Sequence, residues 1–227
     1  MYPSIFRFFF ISALLIFANG CVGVNKYLVS KPTDALDEIR ITQSGEIKLD
    51  GIVITIRPAN AILKSSSVGL LFPFSHYESE EYIFNSSYYN GGPLSSVNYF
   101  ILELIISPSN NNVIFSPKIV ILRPQEGSEN FPISYKKLTV QRGWYSIYYP
   151  KYFAELCHEE GEKVSNIDQP IQLSDKNDAC LAIKYDVTPP DPRTSFTVQI
   201  KGLNVNGKEI NVPIIKFVPG VYRYNLA

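Results

Sequence analysis

Apolar side chains occupy every second position through much of the C-terminal part of the chain, a period typical of half-buried β-strands. The alternating sets are Leu181-Ile183-Tyr185, Phe196-Val198-Ile200 and Ile210-Val212-Ile214. Asn206-Gly207 precedes the third set and suits a tight hairpin turn, because both residues adopt positive φ at little cost. Residues 189–192, Pro-Pro-Asp-Pro, join the first two sets. We therefore predict a meander of three antiparallel strands, with residues 221–224 as a short edge strand.

The segment 98–107 differs from these strands because it is apolar on both alternations. One face carries Phe100, Leu102, Leu104 and Ile106, and the other carries Ile101 and Ile105. A strand of this kind needs apolar neighbours on both faces. We predict that it lies at the centre of a sheet.

The apolar positions change phase at Gly51. Isoleucine and leucine alternate with polar residues through 47–49, and isoleucines continue in the opposite phase through 52–56. A change of phase at glycine indicates either a β-bulge or a tight turn at Asp50-Gly51. The sequence alone is compatible with both.

Asparagine and proline interrupt the next strand-like stretch. Residues 110–112 are three asparagines, which form a plausible hairpin loop before the apolar stretch 113–123. Pro117 lies inside that stretch and cannot donate a hydrogen bond to a neighbouring strand. We therefore expect a bulge or a break at this residue.

Short strand-like segments separated by turn residues, few helical periods and no strand–helix alternation together indicate the fold class. We predict an all-β protein, an antiparallel β-sandwich that is immunoglobulin-like in the broad sense. At most one or two short helices fit the pattern, and the best candidate covers residues 150–157.

The first part of the chain has the layout of a secretory signal. Arg7 supplies a positive charge, residues 8–18 are almost wholly apolar, and Ala18-Asn19-Gly20 leads directly into Cys21. This layout resembles that of bacterial lipoprotein precursors, although Asn19 departs from the small residue that the family prefers. The resemblance covers the signal and the cysteine only. An ordinary signal peptide cut near Ala18 or Gly20 is the alternative.

The resemblance implies that a peptidase cuts before Cys21. The thiol of Cys21 would then carry a diacylglycerol, and its new amino group would carry a further acyl chain such as palmitate. Val22 rather than aspartate after the cysteine implies the outer membrane in bacteria with two membranes. We expect three parts: a signal peptide over 1–20, a tether over 21–45 and a β-sandwich domain over 46–227.

The other two cysteines, Cys157 and Cys180, form an even pair in a chain whose signal directs it to an oxidising compartment. We expect them to form a disulfide; two buried free thiols are the alternative. The chain has 21 basic and 21 acidic residues, and no basic block of the kind that binds nucleic acid. Nucleic acid is therefore not an expected partner.

Motifs for catalysis or metal binding are weak in this sequence. His76 and His158 are the only histidines, too few for a histidine-rich metal site. The acidic stretch 175–178 lacks the glycine and the later glutamate of a calcium loop. Ser134 and Lys137 have the spacing used by penicillin-recognising enzymes, but residues three apart in a strand face opposite sides. We predict no enzyme activity, no cofactor and no metal site.

Aromatic residues are the remaining candidates for recognition. Tyr88 and Tyr89 lie in a stretch rich in asparagine and serine, and Trp144 and Tyr145 begin a second aromatic run. Such side chains bury a large area while keeping a polar group, which favours binding surfaces. Filling the core between two sheets is the alternative for Trp144.

These observations favour a non-catalytic envelope lipoprotein, held to the membrane through Cys21, whose sandwich domain binds an envelope protein or the cell wall. A structural or assembly subunit, in which an exposed edge strand pairs with another chain, is the first alternative. A hydrolytic or metal-dependent enzyme is the second.

Overall fold

The computed structural model describes residues 21–33, 46–69, 76–85, 88–89, 97–109, 112–142, 157, 161–164 and 166–223. Strands in three antiparallel sheets make up nearly all the regular structure of these residues, together with a 3-10 turn at Pro117–Ile119. The all-β sandwich is therefore confirmed, and its immunoglobulin-like character stays a prediction. Of the predicted helix over 150–157, only Cys157 lies in the described part, and it is helical.

The strands are mostly short and follow one another closely along the chain. The first six are β1 (Cys21–Thr33), β2 (Glu46–Leu49), β3 (Ile52–Pro58), β4 (Ala61–Gly69), β5 (His76–Asn85) and β6 (Tyr88–Tyr89). The next six are β7 (Phe100–Pro108), β8 (Val113–Phe115), β9 (Val120–Arg123), β10 (Ser134–Gln141), β11 (Glu162–Lys163) and β12 (Ile171–Leu173). The last five are β13 (Asn177–Tyr185), β14 (Phe196–Ile200), β15 (Leu203–Val205), β16 (Lys208–Glu209) and β17 (Ile215–Arg223).

These strands form three sheets. The large sheet has seven strands in the order β6-β5-β4-β1-β17-β14-β9, and the central sheet has six in the order β11-β10-β13-β7-β3-β2. The small sheet has four, in the order β12-β8-β15-β16. The main core lies between one face of the central sheet and the strands β9, β14 and β17 of the large sheet, with the small sheet completing it.

Strand β7 is central, as its pattern predicts, because it pairs with β13 on one side and β3 on the other. Leu102, Leu104 and Ile106 are completely buried in the main core. Ile101 and Ile105 are buried in a second cluster on the opposite face, together with Cys157 and Cys180. Full burial of each such side chain stabilises the fold by about 1.5–3 kcal/mol.

Two turn positions that the sequence marks are turns in the structure. Leu49 pairs with Ile52, and Gly51 has a φ of 75°, so Asp50-Gly51 is a tight hairpin turn rather than a bulge. Asn206 and Gly207 have φ values of 53° and 77° and connect β15 to β16. Both central residues of the second turn thus adopt the left-handed conformation that its hairpin requires.

The prediction of a tether over 21–45 is wrong for residues 21–33, which form strand β1. This strand pairs with β4 from Cys21 to Leu28 and with β17 from Lys26 to Thr33. The buried Asn60 side chain donates to the Ser30 hydroxyl and to the Pro190 carbonyl, both at 2.8 Å. Backbone pairing on both sides thus orders a stretch whose own composition has little pattern. Residues 34–45 lie outside the described part.

The prediction of a C-terminal meander is also wrong. Strand β13 belongs to the central sheet, whereas β14 belongs to the large sheet, so the proline-rich segment 189–192 carries the chain between two sheets. The predicted third strand is not regular over residues 210–214. We also predict an edge strand over 221–224. Its residues as far as Arg223 belong to β17, which lies between β1 and β14 and is therefore not an edge strand.

The stretch 113–123 breaks near Pro117, as predicted. Strand β8 precedes the break and β9 follows it, with the 3-10 turn at Pro117–Ile119 between them. The loop before the stretch does not form a hairpin between β7 and β8, because β8 pairs with β12 and β15 in the small sheet. The break thus allows one stretch to contribute to two sheets.

Candidate functional site

The residues that the sequence marks for function lie far apart or outside the described part. Cys21 is the first residue of β1 and lies opposite Gly69 of β4. Tyr88 and Tyr89 form β6, the outermost strand of the large sheet at that edge. Trp144 and Tyr145, like His158, fall outside the described residues. The proposed aromatic surface therefore stays a prediction.

The predicted disulfide is present between Cys157 and Cys180, whose Cα atoms are 5.5 Å apart. Both residues are completely buried. They pack with Ile101, Ile105 and Ala182 on the face of the central sheet that points away from the main core. We call this the disulfide face.

A buried carboxylate lies beside the disulfide. The Oε1 atom of Glu103 is 3.5 Å from the Cys180 sulfur, and Glu103 is 1% exposed. This is a contact rather than a hydrogen bond, because a disulfide sulfur carries no proton. Arg57, itself buried, lies opposite Glu103 in the register of β3 with β7. Glu103, Cys157 and Cys180 group closely enough for a metal ion, but the two sulfurs are bonded to each other and supply no thiolate.

A cavity of about 200 Å³ opens on the same face, where β10, β11 and β13 meet. Its lining residues are Ile101, Ser134, Tyr135, Lys136, Lys163, Ala182 and Lys184. We call it the lysine cavity. Three of these described lining residues are lysines, and none of them carries a carboxylate.

Cross-strand register brings these lysines together. Lys136 of β10 lies opposite Lys163 of β11 on one side and opposite Ala182 of β13 on the other. Ser134 lies opposite Lys184 on the same face, two residues along. Directly opposed side chains in antiparallel strands have Cβ atoms about 4.5–5.5 Å apart. Positive charges from three strands are thus concentrated around one depression.

Two of these lysines repel each other across a pair of strands. Like charges directly opposite each other in a sheet are destabilising, and Lys136 and Lys163 form such a pair. Lys163 is exposed and makes no side-chain hydrogen bond or ion pair with the described residues. The ammonium of Lys184 lies 4.2 Å from the centre of the Tyr99 ring, which offsets part of its charge through a cation–π contact.

The disulfide fixes the segment that carries Lys163. Cys157 is bonded to β13 through Cys180, and the chain reaches Lys163 of β11 six residues later. Gly161 lies between them, where a Cβ atom would be 2.3 Å from the Cys157 carbonyl oxygen and 3.0 Å from Cβ of Lys136. Only a residue without a side chain allows this close approach.

A backbone hydrogen bond continues the attachment on the other side of Lys163. The Val164 amide donates to the Tyr135 carbonyl at 3.2 Å. The disulfide before β11 and this bond after it hold the strand against β10. Tyr135 is itself buried, and burial raises the pKa of its phenol, so the phenol remains protonated at neutral pH. This phenol packs in the main core, on the opposite side of β10 from Ser134 and Lys136, so the charged and donor groups of the cavity are the three lysines and Ser134.

A second cavity, of about 430 Å³, opens on the outer face of the large sheet at β9, β14 and β17. Arg123, Thr197 and Lys216 lie in one cross-strand row along it. We call it the arginine cavity. Here the main positive charge is neutralised, because Arg123 donates from Nη2 to Glu129 at 2.6 Å and to Gln199 at 3.0 Å.

Sequence reasoning missed the lysine cavity. It singled out Ser134 and Lys137 and predicted that they face opposite sides; Ser134 lines the cavity and Lys137 does not. Lys136, Lys163 and Lys184 are far apart in sequence, and only the register of three strands unites them. The one local signal of this cavity in the sequence is Lys184, a charged residue between the apolar residues Ile183 and Tyr185.

Comparison with known proteins does not assign the chain to a family. No protein-family model matches it, and neither the curated proteins nor the solved structures contain a significant match. Within the described residues, no helix has the length and apolar character needed to cross a membrane.

Proposed function

We propose that the protein is an exported lipoprotein of a bacterial envelope, anchored through a lipid on Cys21, with a β-sandwich that serves binding rather than catalysis. The observation that carries the export step is the Cys157–Cys180 disulfide, which is completely buried. Disulfides persist in oxidising compartments such as the periplasm and are rare in the cytosol. A signal followed by a cysteine agrees with this location.

The lipid anchor is supported by the sequence around Cys21 and by the requirements of stable membrane attachment. Each acyl methylene that enters the bilayer contributes about 0.8 kcal/mol, and stable attachment generally needs more than one chain. A diacylglycerol on the thiol together with an acyl chain on the amino group meets this requirement. A helix that spans the bilayer is then unnecessary.

The binding role is supported by the lysine cavity. Its ammonium groups and the Ser134 hydroxyl form a set of donors for an external acceptor. The sheet that presents them is rigid, because β7 and β13 are buried along most of their length. Binding sites on such elements hold their donors in fixed positions.

The test is metabolic labelling with a fatty-acid analogue, followed by separation of membrane and soluble fractions. The native chain should carry label and remain with membranes, whereas Cys21→Ala should lose the label and leave them. Val22→Ala is the matched control, because it changes the adjacent residue and keeps the thiol. Label on the Cys21→Ala chain, or an unlabelled native chain cut near Ala18, would contradict the anchor.

A further inference from the structure

We propose that the lysine cavity is a binding site for the phosphate group of a small ligand. The proposal rests on the binding role suggested above and is independent of the lipid anchor. Lysine ammonium groups bind phosphate as point charges, each with three donors. Lys136, Lys163 and Lys184 supply those charges, and Ser134 adds a hydroxyl.

The opposed lysines are the first argument for an anion. Two strands place Lys136 and Lys163 directly against each other, although an opposite-charge pair there would favour folding. A phosphate between the two side chains would contact both ammonium groups.

The construction of the site is the second argument. Lys163 belongs to a strand of two residues, which is too short to position itself. The disulfide at Cys157, the close approach at Gly161 and the Val164 hydrogen bond together hold it against β10. Three separate contacts thus position Lys163 beside Lys136 and Lys184.

The size of the cavity is the third argument, because it limits the ligand. A space of about 200 Å³ is smaller than the usual range for drug-sized ligands, about 300–1,000 Å³. It accommodates a phosphate group and a small part of whatever carries it. Ile101 and Ala182 form an apolar floor, and partial exclusion of water there strengthens the charge interactions.

The experiment is a titration of the whole secreted chain, purified from whichever fraction contains it, so that its result does not depend on lipidation. Inorganic phosphate is the first probe, and binding is followed by amide chemical shifts in an isotope-labelled sample. We expect saturable shifts at Lys136, Lys163 and Lys184 at phosphate concentrations up to about 10 mM, the weak-affinity range. Absence of saturable shifts in this range would overturn the proposal.

The variants separate a specific site from a general effect of charge. Lys163→Met should weaken phosphate binding by about tenfold, the lower end of what one hydrogen bond to a charged group contributes. Lys216→Met removes the same charge from the arginine cavity and should change binding by less than about twofold. Equal weakening by the two variants would show that phosphate responds only to net charge and would refute the site.

A second probe distinguishes the two sources of phosphate. Vesicles of phosphatidylglycerol are compared with vesicles of phosphatidylcholine, using the Cys21→Ala chain to exclude anchoring by the lipid. Binding to the anionic vesicles that Lys163→Met abolishes would identify the ligand as a lipid headgroup. Phosphate binding without vesicle binding would identify a soluble phosphate compound. Failure of the fatty-acid labelling would leave both results unchanged.

Discussion

The lysine cavity and the arginine cavity lie on different sheets, and they differ in the residues that surround their positive charges. In the arginine cavity, Arg123 donates from Nη2 to Glu129 and Gln199, and Glu126 also lies in the lining. In the lysine cavity, three lysines and Ser134 lie in the lining, and none of the described lining residues is acidic. An ion pair within the chain stabilises the fold, whereas several ammonium groups around one depression suit an anionic ligand. The number of cations around a depression therefore says less about ligand binding than the identity of the residues that surround those cations.

The largest expected effect comes from the disulfide. Replacing Cys157 and Cys180 with serine should lower the free energy of unfolding by about 3 kcal/mol, because the crosslink restricts the unfolded chain. Phosphate affinity should fall as well, since Lys163 loses its attachment. Denaturant unfolding and the phosphate titration measure the two effects.

The Lys216→Met exchange in the same disulfide-free chain is the control for this prediction. It should leave the remaining phosphate affinity unchanged. If the disulfide-free chain remains folded and binds phosphate as the native chain does, the disulfide has no part in positioning Lys163.

Glycine-to-alanine substitutions have the next largest expected effect on stability, and they allow the two cavities to be compared directly. Gly161→Ala should destabilise the chain by about 1–3 kcal/mol, because the new methyl group would overlap the Cys157 carbonyl and displace the segment. Gly127→Ala, in the turn at the arginine cavity, has no atom within 4 Å of the new Cβ, and its φ of 82° is the only source of strain.

We therefore expect only about 1 kcal/mol from Gly127→Ala, the usual cost of a non-glycine residue in this conformation. Phosphate binding should weaken in Gly161→Ala and not in Gly127→Ala. Thermal unfolding and the phosphate titration provide the comparison, and a loss of binding in both variants would remove the distinction between the cavities.

The smallest expected effect is a change in the free energy of unfolding that has opposite signs for the two cavities. Lys163→Met should raise the free energy of unfolding by a few tenths of a kcal/mol in the absence of phosphate, because it removes one of two opposed positive charges. Arg123→Met should lower it by about 1 kcal/mol, because it leaves Glu129 and Gln199 without their shared donor.

Unfolding in denaturant at low and high salt tests both signs. The gain in Lys163→Met should shrink at high salt, where exposed charges are screened. A destabilised Lys163→Met chain would mean that the lysine takes part in the fold and is not reserved for a ligand.

The parts of the fold that the sequence predicts are those with local causes. The double alternation around Leu104 predicts a central strand, and Asp50-Gly51 and Asn206-Gly207 form turns through their own backbone preferences. Pro117 interrupts a strand because it lacks an amide proton. Each of these effects acts within a few residues.

The parts that the sequence does not predict have causes far away in the chain. Strand β1 exists because β4 and β17 pair with it, and residue spacing within 21–33 does not contain that information. The meander was a wrong prediction because alternation identifies strands but not their sheet. The lysine cavity required the register of β10 with β11 and β13, so no motif search could assemble Lys136, Lys163 and Lys184.

The pairing of Cys21 with Gly69 has a consequence for how the domain would lie at a bilayer. A tether of about twenty residues would let the domain range over tens of ångströms. With the lipid on the first residue of β1, the chain would pass from acyl group to sheet without slack. Strand β1 would then begin at the headgroups, and the domain would have little freedom to move away from them.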